Sequence, residues 1–532
     1  MQRRLSEFFG EETAAKVALT ERTCGEDPSV NSLEYDSRKV VPGTLFFALS
    51  GLHTDGHRHV EDAVKRGARV VVHEAEIGRK DPGVVYLRVR NSRVAMSPIA
   101  TAFYGFPSKR LLVIGVTGTE GKSTTVYLIW QFLRLLGKKA GFFSTVQQSD
   151  GGDERWNAEH QTTPEATVVQ RLLWEMAENG CTYAVVESSS HGLSVRNNRL
   201  GDVVYDAAVF TNLRHEHMEF HETPECYRND KANLFRALDR GEEKTGIPGT
   251  DFVVEPFGVI NADDPNADYF SSVTRRDILG FSTEGMETDL TMTAIHGGSF
   301  GNWYKVQLAD GSRLDIRDRL PGTFNAGNVL AALLTVSQMT GLSPEELALL
   351  CPKLLPVRGR MTAIDQKQPF RVLVDYAHTP SSFRAIFPPL RRQLDIEGGR
   401  IISLFGSPGE RDTIKRREQG KIAAEYSDFI VLTDEDPRGE SPMDILKEIA
   451  QGIFAQMKAD PRNVSFRQGE NLFLIPDRPK AIRRAFSLAR PGDVVLLLGK
   501  GHENSIIYAD GAMPFDEIAE AEKALRELPG RE

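Results

Sequence analysis

Cysteine is scarce. The 532-residue chain has 4, at Cys24, Cys181, Cys226 and Cys351, with no C-x-x-C pair or other zinc-like spacing. Reduced thiols of this kind fit a cytoplasmic protein. Long apolar runs are missing too. The N-terminal MQRRLSEFFGEETAAKVAL has basic residues, but acids soon follow, and no stretch has the quality of a signal peptide or membrane span. A cytoplasmic location without a membrane span is therefore expected. A surplus of positive charge is also lacking. The net charge of −9 and pI near 5.8 exclude general nucleic-acid binding, which needs a basic footprint. Any phosphate bound here has to be met locally. No solenoid repeat and no long low-complexity segment interrupts the chain.

What remains is the composition of a multidomain globular protein. At 40% hydrophobic and 26% charged residues, the chain has material for several packed cores, and its length suggests about three domains. Strand-like runs TLFFAL, ARVVVHE and VVYLRV, with helical patterns between them, predict a small α/β domain over 1–108. In a second domain, over 109–353, LLVIGVT breaks into GTEGKST and a helical pattern, and TYAVVESSS, VVYDAAVFTNL and FGVINADD end in polar residues. In open parallel sheets ligands bind beyond the strands' carboxyl ends, so those endings should converge. TMTAIHGGSF, NWYKVQL and SRLDIRD read as a hairpin appendage, and EEKTGIPGTDF as a surface loop. A third α/β domain, 354–532, repeats the strand-then-polar pattern in FRVLVDYAHTP, RIISLFGSPGERD, FIVLTDEDPRGE and DVVLLLGKGHE.

The residues with chemistry follow from this layout. In GTEGKST, Gly118 and Gly121 let backbone N–H groups face a phosphate, Lys122 brings a cation and Ser123 a magnesium ligand. Val116 stands where a full Walker pattern has its first glycine, so the strand–loop–helix context carries the reading. Glu187 and His217, each at or just past a buried strand, suit one divalent cation. Lys231 near them could become an anion by carbamylation with carbon dioxide, although spacing alone favours a solvated helix lysine.

Taken in order, GTEGKST, ESSSHGL, VFTNLRHEHMEFH followed by Lys231, LPGTFNAGN, VDYAHTP, GERD and DEDPR resemble the Mur ligase family over nearly the whole chain. The resemblance implies an α/β, three-domain architecture: an N-terminal UDP-binding domain, a central P-loop ATPase domain and a C-terminal Rossmann-like domain for an incoming amino acid. It also implies an ATP-dependent ligase, here one adding a diamino acid to UDP-N-acetylmuramoyl-L-alanyl-D-glutamate through an acyl-phosphate in cytoplasmic peptidoglycan precursor synthesis, and acting as a monomer. The alternative is another Mur ligase or a folylpolyglutamate synthase-like ligase, against which DSR…DGH and DEDPR argue. A non-catalytic scaffold would be expected to lose Lys122, Glu187, His217 or Lys231, and all four are present.

Carried residue by residue, the resemblance assigns ATP to Gly118, Thr119, Glu120, Gly121, Lys122, Ser123 and Thr124, with Asn325, Asn328, Arg360 and Asp375. One magnesium falls to Ser123 and Glu187, and a second to His217 and carbamylated Lys231, reversing the reading from spacing. The UDP-peptide falls to Ser37, Arg38, His53, Thr54, Thr162, Thr163, Ser189, Asn197 and Arg199. The amino acid falls to Arg411, Glu435, Asp436, Pro437, Arg438, Gly499 and Glu503. The chain departs from the family pattern at Glu120 for Asn, Ser123 for Thr, Glu216 for Asp and Asn197 for Gln, and has two extra residues before Arg199. Glu120 adds a negative charge beside a phosphate site. The D-N-P-R of diaminopimelate-adding relatives reads Glu435-Asp436-Pro437-Arg438 here. An added carboxylate in a desolvated pocket favours a terminal ammonium. That tilts the expectation towards lysine or ornithine, with meso-diaminopimelate left open.

Overall fold

The computed structural model describes residues 1–23, 26–51, 54–157, 161–214, 221, 223–241, 243–250, 253–298, 301–457 and 465–528. They form two compact units. The first is Met1–Thr291 with Leu308–Ser312 and Gly327–Leu347, and the second is Met292–Gln307 with Arg313–Ala326 and Ala348–Glu532.

Besides the short pair Arg3–Arg4 with Ser29–Val30, the first unit holds two larger sheets among the described residues. The N-terminal one orders Leu19–Arg22, Val85–Val89, Ala68–His73, Thr44–Phe47 and Ser32–Glu34, parallel except for the first pair. Its three inner strands are the three read from the sequence. The edge strands LTER and SLE each carry one apolar residue and so show no period to read.

The larger sheet has a parallel core in the order Ala140–Phe143, Tyr183–Glu187, Leu112–Thr117, Ala207–Phe210, Phe257–Asn261 and Ile278–Ser282. Strands covered on both faces read as continuous apolar runs, which is why LLVIGVT and TYAVVE stood out. The register brings their carboxyl ends level. Glu187 pairs with Val116, and Phe210 with Thr117, so the polar residues after these strands emerge together, as expected.

At the opposite, amino end lies a buried ion pair. Lys244 donates to the carbonyls of Ser108 (2.8 Å), Leu111 (2.8 Å) and Val204 (3.0 Å) and to Asp206 Oδ2 (2.6 Å). Asp206 Oδ2 also accepts from Val113 N–H at 2.6 Å. Within the segment read as a surface loop, Lys244 is instead buried and ties together the starts of two strands.

The second unit orders Thr362–Ile364, Arg371–Asp375, Val494–Leu498, Ile401–Phe405, Phe429–Leu432 and Leu472–Leu474, all parallel except the first pair. The residues read as a hairpin appendage include two antiparallel strands, Gly301–Leu308 and Arg313–Asp318. Among the described residues no helix is long and apolar enough to cross a membrane.

Replacing Lys244 by Met leaves a buried carboxylate and three carbonyls without their cation. The first unit is expected to lose about 3–5 kcal/mol of stability, read from the shift of its denaturant midpoint. A shift below about 1 kcal/mol would show that water replaces the ammonium freely.

Candidate active site

The loop after Leu112–Thr117 needs its two glycines. Gly118 and Gly121 have φ of +146° and +82°. A Cβ at Gly118 would collide with Thr211 Oγ1, and one at Gly121 with Asn328 Oδ1. The loop is pinned from the neighbouring strand end. Thr119 N–H donates to Asn212 O (2.8 Å) and Glu120 N–H to Asn212 Oδ1 (3.0 Å), while Thr211 Oγ1 donates to Glu120 O (2.6 Å). Beyond it the helix Lys122–Leu135 starts, presenting the unpaired N–H groups and positive dipole end that suit an anion. Thr124 lies in its first turn, and Lys122 Nζ folds back to Thr119 O at 2.7 Å.

Beside this loop sits Glu187, 1% exposed. Its oxygens accept from Ser123 Oγ (3.0 and 2.9 Å), Thr145 N–H (2.7 Å) and Thr145 Oγ1 (3.0 Å). Among the described residues no cation bonds to this carboxylate. Thr145, which the sequence reading missed, also has its hydroxyl 3.1 Å from Thr162 Oγ1. Thr163 Oγ1 links the main chain, donating to Glu187 O (2.8 Å) and accepting from Ser189 N–H (3.0 Å). Ser189 in turn caps the helix Ser190–Leu193.

Arg199 is drawn into the same neighbourhood. It donates to Gln161 Oε1 (2.7 Å), Thr163 O (2.8 Å) and Glu165 Oε1 (2.8 Å), and Arg93 also donates to that Glu165 oxygen, at 2.7 Å. Asn197 Nδ2 turns instead to His191 O at 3.1 Å.

Lys231 is not the solvated lysine that spacing favours. It is 1% exposed, donates to Gly118 O at 2.5 Å and lies 4.5 Å from the centre of the Tyr227 ring. The Tyr227 hydroxyl is 3.2 Å from Thr119 Oγ1. Buried beside it is another missed residue, His221, whose Nδ1 is 3.0 Å from Asp230 Oδ2 and whose Nε2 is 2.9 Å from Ser190 Oγ. Neither the spacing nor the family motif singled it out from the other histidines of HEHMEFH. His217 and His53 lie outside the described residues.

Other expected positions are spread more widely. Asn328 Oδ1 accepts from Thr125 Oγ1 at 3.2 Å and stands against Gly121. Asn325 opens the helix Asn325–Thr340 and donates to Pro321 O at 2.7 Å. Ser37 starts a short turn in which Asp36 holds the exposed Arg38 at 2.8 Å. The Thr54 carbonyl accepts from Gly51 N–H at 3.0 Å.

In the second unit the charged residues cluster at the carboxyl ends of the strands. Asp375 ends Arg371–Asp375 and accepts from Met361 N–H (2.6 Å) and Ala377 N–H (2.7 Å); burial pushes its pKa up, opposed by Arg360. The Arg360 guanidinium lies 4.8 Å from the centre of the Tyr376 ring. Lys500, 1% exposed, donates to Asp436 Oδ1 (2.8 Å) and Glu503 Oε2 (2.5 Å). Asp436 Oδ1 also accepts from Ile507 N–H at 2.9 Å. The added carboxylate thus already has a cation and a backbone donor, which removes the premise that it stands bare in the pocket.

Glu435 is buried against Gly499, and burial raises its pKa. Burial raises that of Glu503 as well, opposed by Lys500. Pro437 leads into Arg438, which has φ +52° and donates its N–H to Ile507 O at 2.9 Å; Arg411 is exposed. Arg478, fully buried with Glu517, donates to Asp434 O (2.8 Å) and Leu498 O (2.8 Å), joining the two strand ends that carry these loops.

Comparison with known proteins places the whole chain in one family. Residues 29–104 match the Mur ligase family catalytic domain, 116–336 the Mur ligase middle domain and 359–501 the Mur ligase glutamate ligase domain. A UDP-N-acetylmuramyl-tripeptide synthetase of Treponema denticola is 48% identical over 524 residues, covering 94% of this chain and 95% of the relative. A UDP-N-acetylmuramoyl-L-alanyl-D-glutamate–2,6-diaminopimelate ligase of Geobacillus kaustophilus is 37% identical over 506 residues, covering 94% of this chain and 96% of the relative. A solved structure of a ligase with that same activity in its name superposes with a TM-score of 0.63 at 26% identity, covering 99% of both chains.

Proposed function

The chain belongs to the Mur ligase family, and on that premise we propose that it is an ATP-dependent ligase joining a diamino acid to UDP-N-acetylmuramoyl-L-alanyl-D-glutamate. The observation that carries the reading is the buried Glu187 carboxylate, held by Ser123 and Thr145 at the mouth of a glycine loop. Relatives at 37–48% identity over 94% of the chain favour this substrate over a folate.

The donor set fits magnesium: a carboxylate and a hydroxyl, hard oxygen ligands with no competing cation among the described residues. We propose that Ser123 and Glu187 hold one ion, and His217 with the carbamate of Lys231 a second. When bound, magnesium neutralises charge on the transferring phosphoryl group. The chain's own groups do the rest. The N–H groups at the start of the helix, from Gly121 to Ser123, cradle the phosphates, and Lys122 leaves Thr119 O to follow the γ-phosphate. A substrate carboxylate oxygen attacks the γ-phosphorus and ADP leaves, giving an acyl-phosphate. The amine of the incoming acid then attacks the acyl carbon, and the tetrahedral adduct expels phosphate as the amide forms.

Thr162, Thr163 and Arg199 are proposed to orient the peptide, and Ser37, Arg38, His53 and Thr54 the UDP. Ser189 and Asn197 serve that surface through the main chain they fix. Arg411, Arg438 and Glu503 are proposed to read the amino acid, on a floor fixed by Glu435, Asp436, Pro437 and Gly499. Chain limits of 1–108, 109–353 and 354–532 are proposed for the three domains.

Phosphate release should require ATP, the UDP-dipeptide and a diamino acid together. Equal turnover without the UDP-dipeptide, or turnover only with a folate, rejects the assignment. Because Asp436 is already paired with Lys500, Asp436→Asn is expected to leave the ranking of L-lysine, L-ornithine and meso-diaminopimelate unchanged. That ranking is measured as relative kcat/KM at equal concentrations, and a reordering would show that the carboxylate reads the substrate directly. Lys231→Ala should lose most activity, on the order of 100-fold, and regain part of it with a small carboxylate such as formate. Full activity without rescue contradicts the carbamate.

A further inference from the structure

We propose that His221 is a positioning residue that locks the segment carrying Glu187 to the helix carrying Lys231; the proposal rests on the functional reading above. The imidazole is 2% exposed, and both its nitrogens are in use. A carboxylate only accepts, so the 3.0 Å contact with Asp230 Oδ2 puts the hydrogen on Nδ1. Nε2 then accepts from the Ser190 hydroxyl at 2.9 Å. One rigid ring thereby joins two segments far apart in sequence.

The two anchor points adjoin the chemistry. Asp230 immediately precedes Lys231 on the helix Pro224–Leu238. Ser190 stands three residues after Glu187, at the start of the helix that Ser189 caps. That segment is tied back again by Thr163 Oγ1, which bonds both Glu187 O and Ser189 N–H. A third tie runs to the glycine loop. The Tyr227 ring packs edge-on against His221 at 5.0 Å, lies beneath Lys231 Nζ and sets its hydroxyl 3.2 Å from Thr119 Oγ1. His191 packs on another side of the imidazole at 5.3 Å. Movement of His221 would therefore be felt at Glu187, Lys231 and Thr119 together.

Serine, histidine and aspartate in this order form the constellation of a serine hydrolase. Here Ser190 is 2% exposed, which leaves a substrate carbonyl no room to reach its Oγ. The chain of hydrogen bonds fixes position rather than activating a nucleophile. It does for the proposed magnesium groups what outer hydrogen bonds do for metal ligands generally, where loss of one such contact costs 10–100-fold.

The test compares His221→Ala, Ser190→Ala, Asp230→Asn, Asp230→Ala and the double variant Ser190→Ala/His221→Ala with the wild-type enzyme. His221→Ala is expected to lower kcat on the order of 100-fold and to raise the magnesium concentration for half-maximal activity about tenfold. KM for the UDP-dipeptide should stay within about threefold. Asp230→Asn, which keeps a carbonyl oxygen for Nδ1–H, should retain far more activity than Asp230→Ala. The double variant should be no worse than His221→Ala alone, because the two residues act as one link.

Magnesium-dependent binding of a non-hydrolysable ATP analogue, measured on the same variants, reads the inference without turnover. A wild-type enzyme that fails to use the UDP-dipeptide would sink the functional reading and leave this measurement standing. Should His221→Ala not fold, Ser190→Ala alone is expected to show the raised magnesium requirement. Unchanged kcat and magnesium dependence in the folded variants, or losses that multiply in the double variant, overturn the proposal.

Discussion

A buried carboxylate has to be answered by donors or by a cation, and in this protein Glu187 sets that requirement for the nucleotide end of the fold. Its position follows from strand register: pairing with Val116 puts it one residue short of the end of the neighbouring strand, where the glycine loop begins. Ser123 from the first helical turn and Thr145 from the next strand's exit then converge on it because the strands are parallel and end level. The donors supply hydrogen bonds but no positive charge. That arrangement fits the cation proposed there, because the hydroxyls can turn from the carboxylate to an ion without moving the backbone.

Two buried cations elsewhere among the described residues are closed off by internal partners. Lys244 and Asp206 neutralise one another at the amino end of the sheet, and Arg478 with Glu517 does the same in the second unit while bonding two strand-end carbonyls. Lys500 is intermediate. Its ammonium satisfies Asp436 and Glu503 at once, so two carboxylates share one cation beside the loops proposed to meet the amino acid. The electrostatics there depend on a group that substitution at Asp436 alone would not reveal.

How much of this could be read from the sequence depended on the kind of pattern. Buried parallel strands announced themselves as apolar runs, and GTEGKST was legible because each residue type has a local geometric reason. Ser32–Glu34 escaped because a three-residue edge strand with one apolar residue leaves no period. Spacing misplaced Lys231, and the surface-loop reading passed over Lys244, because a lysine's burial is decided by carbonyls distant in sequence, such as Gly118 O and Leu111 O. The pairing of Asp436 with Lys500 spans 64 positions, and no local rule connects them. Asp436 was legible as a departure from D-N-P-R, and its compensation became visible only in the fold.

Glu187 is proposed as the seat of a cation that joins nucleotide to protein. Its most direct test is binding of a non-hydrolysable ATP analogue to wild-type and Glu187→Gln protein, titrated with and without magnesium. Wild-type affinity should rise with magnesium by at least about tenfold, or about 1.4 kcal/mol. The variant should bind the analogue at the magnesium-free level whether or not the ion is present. A variant that keeps the full magnesium enhancement would contradict the account.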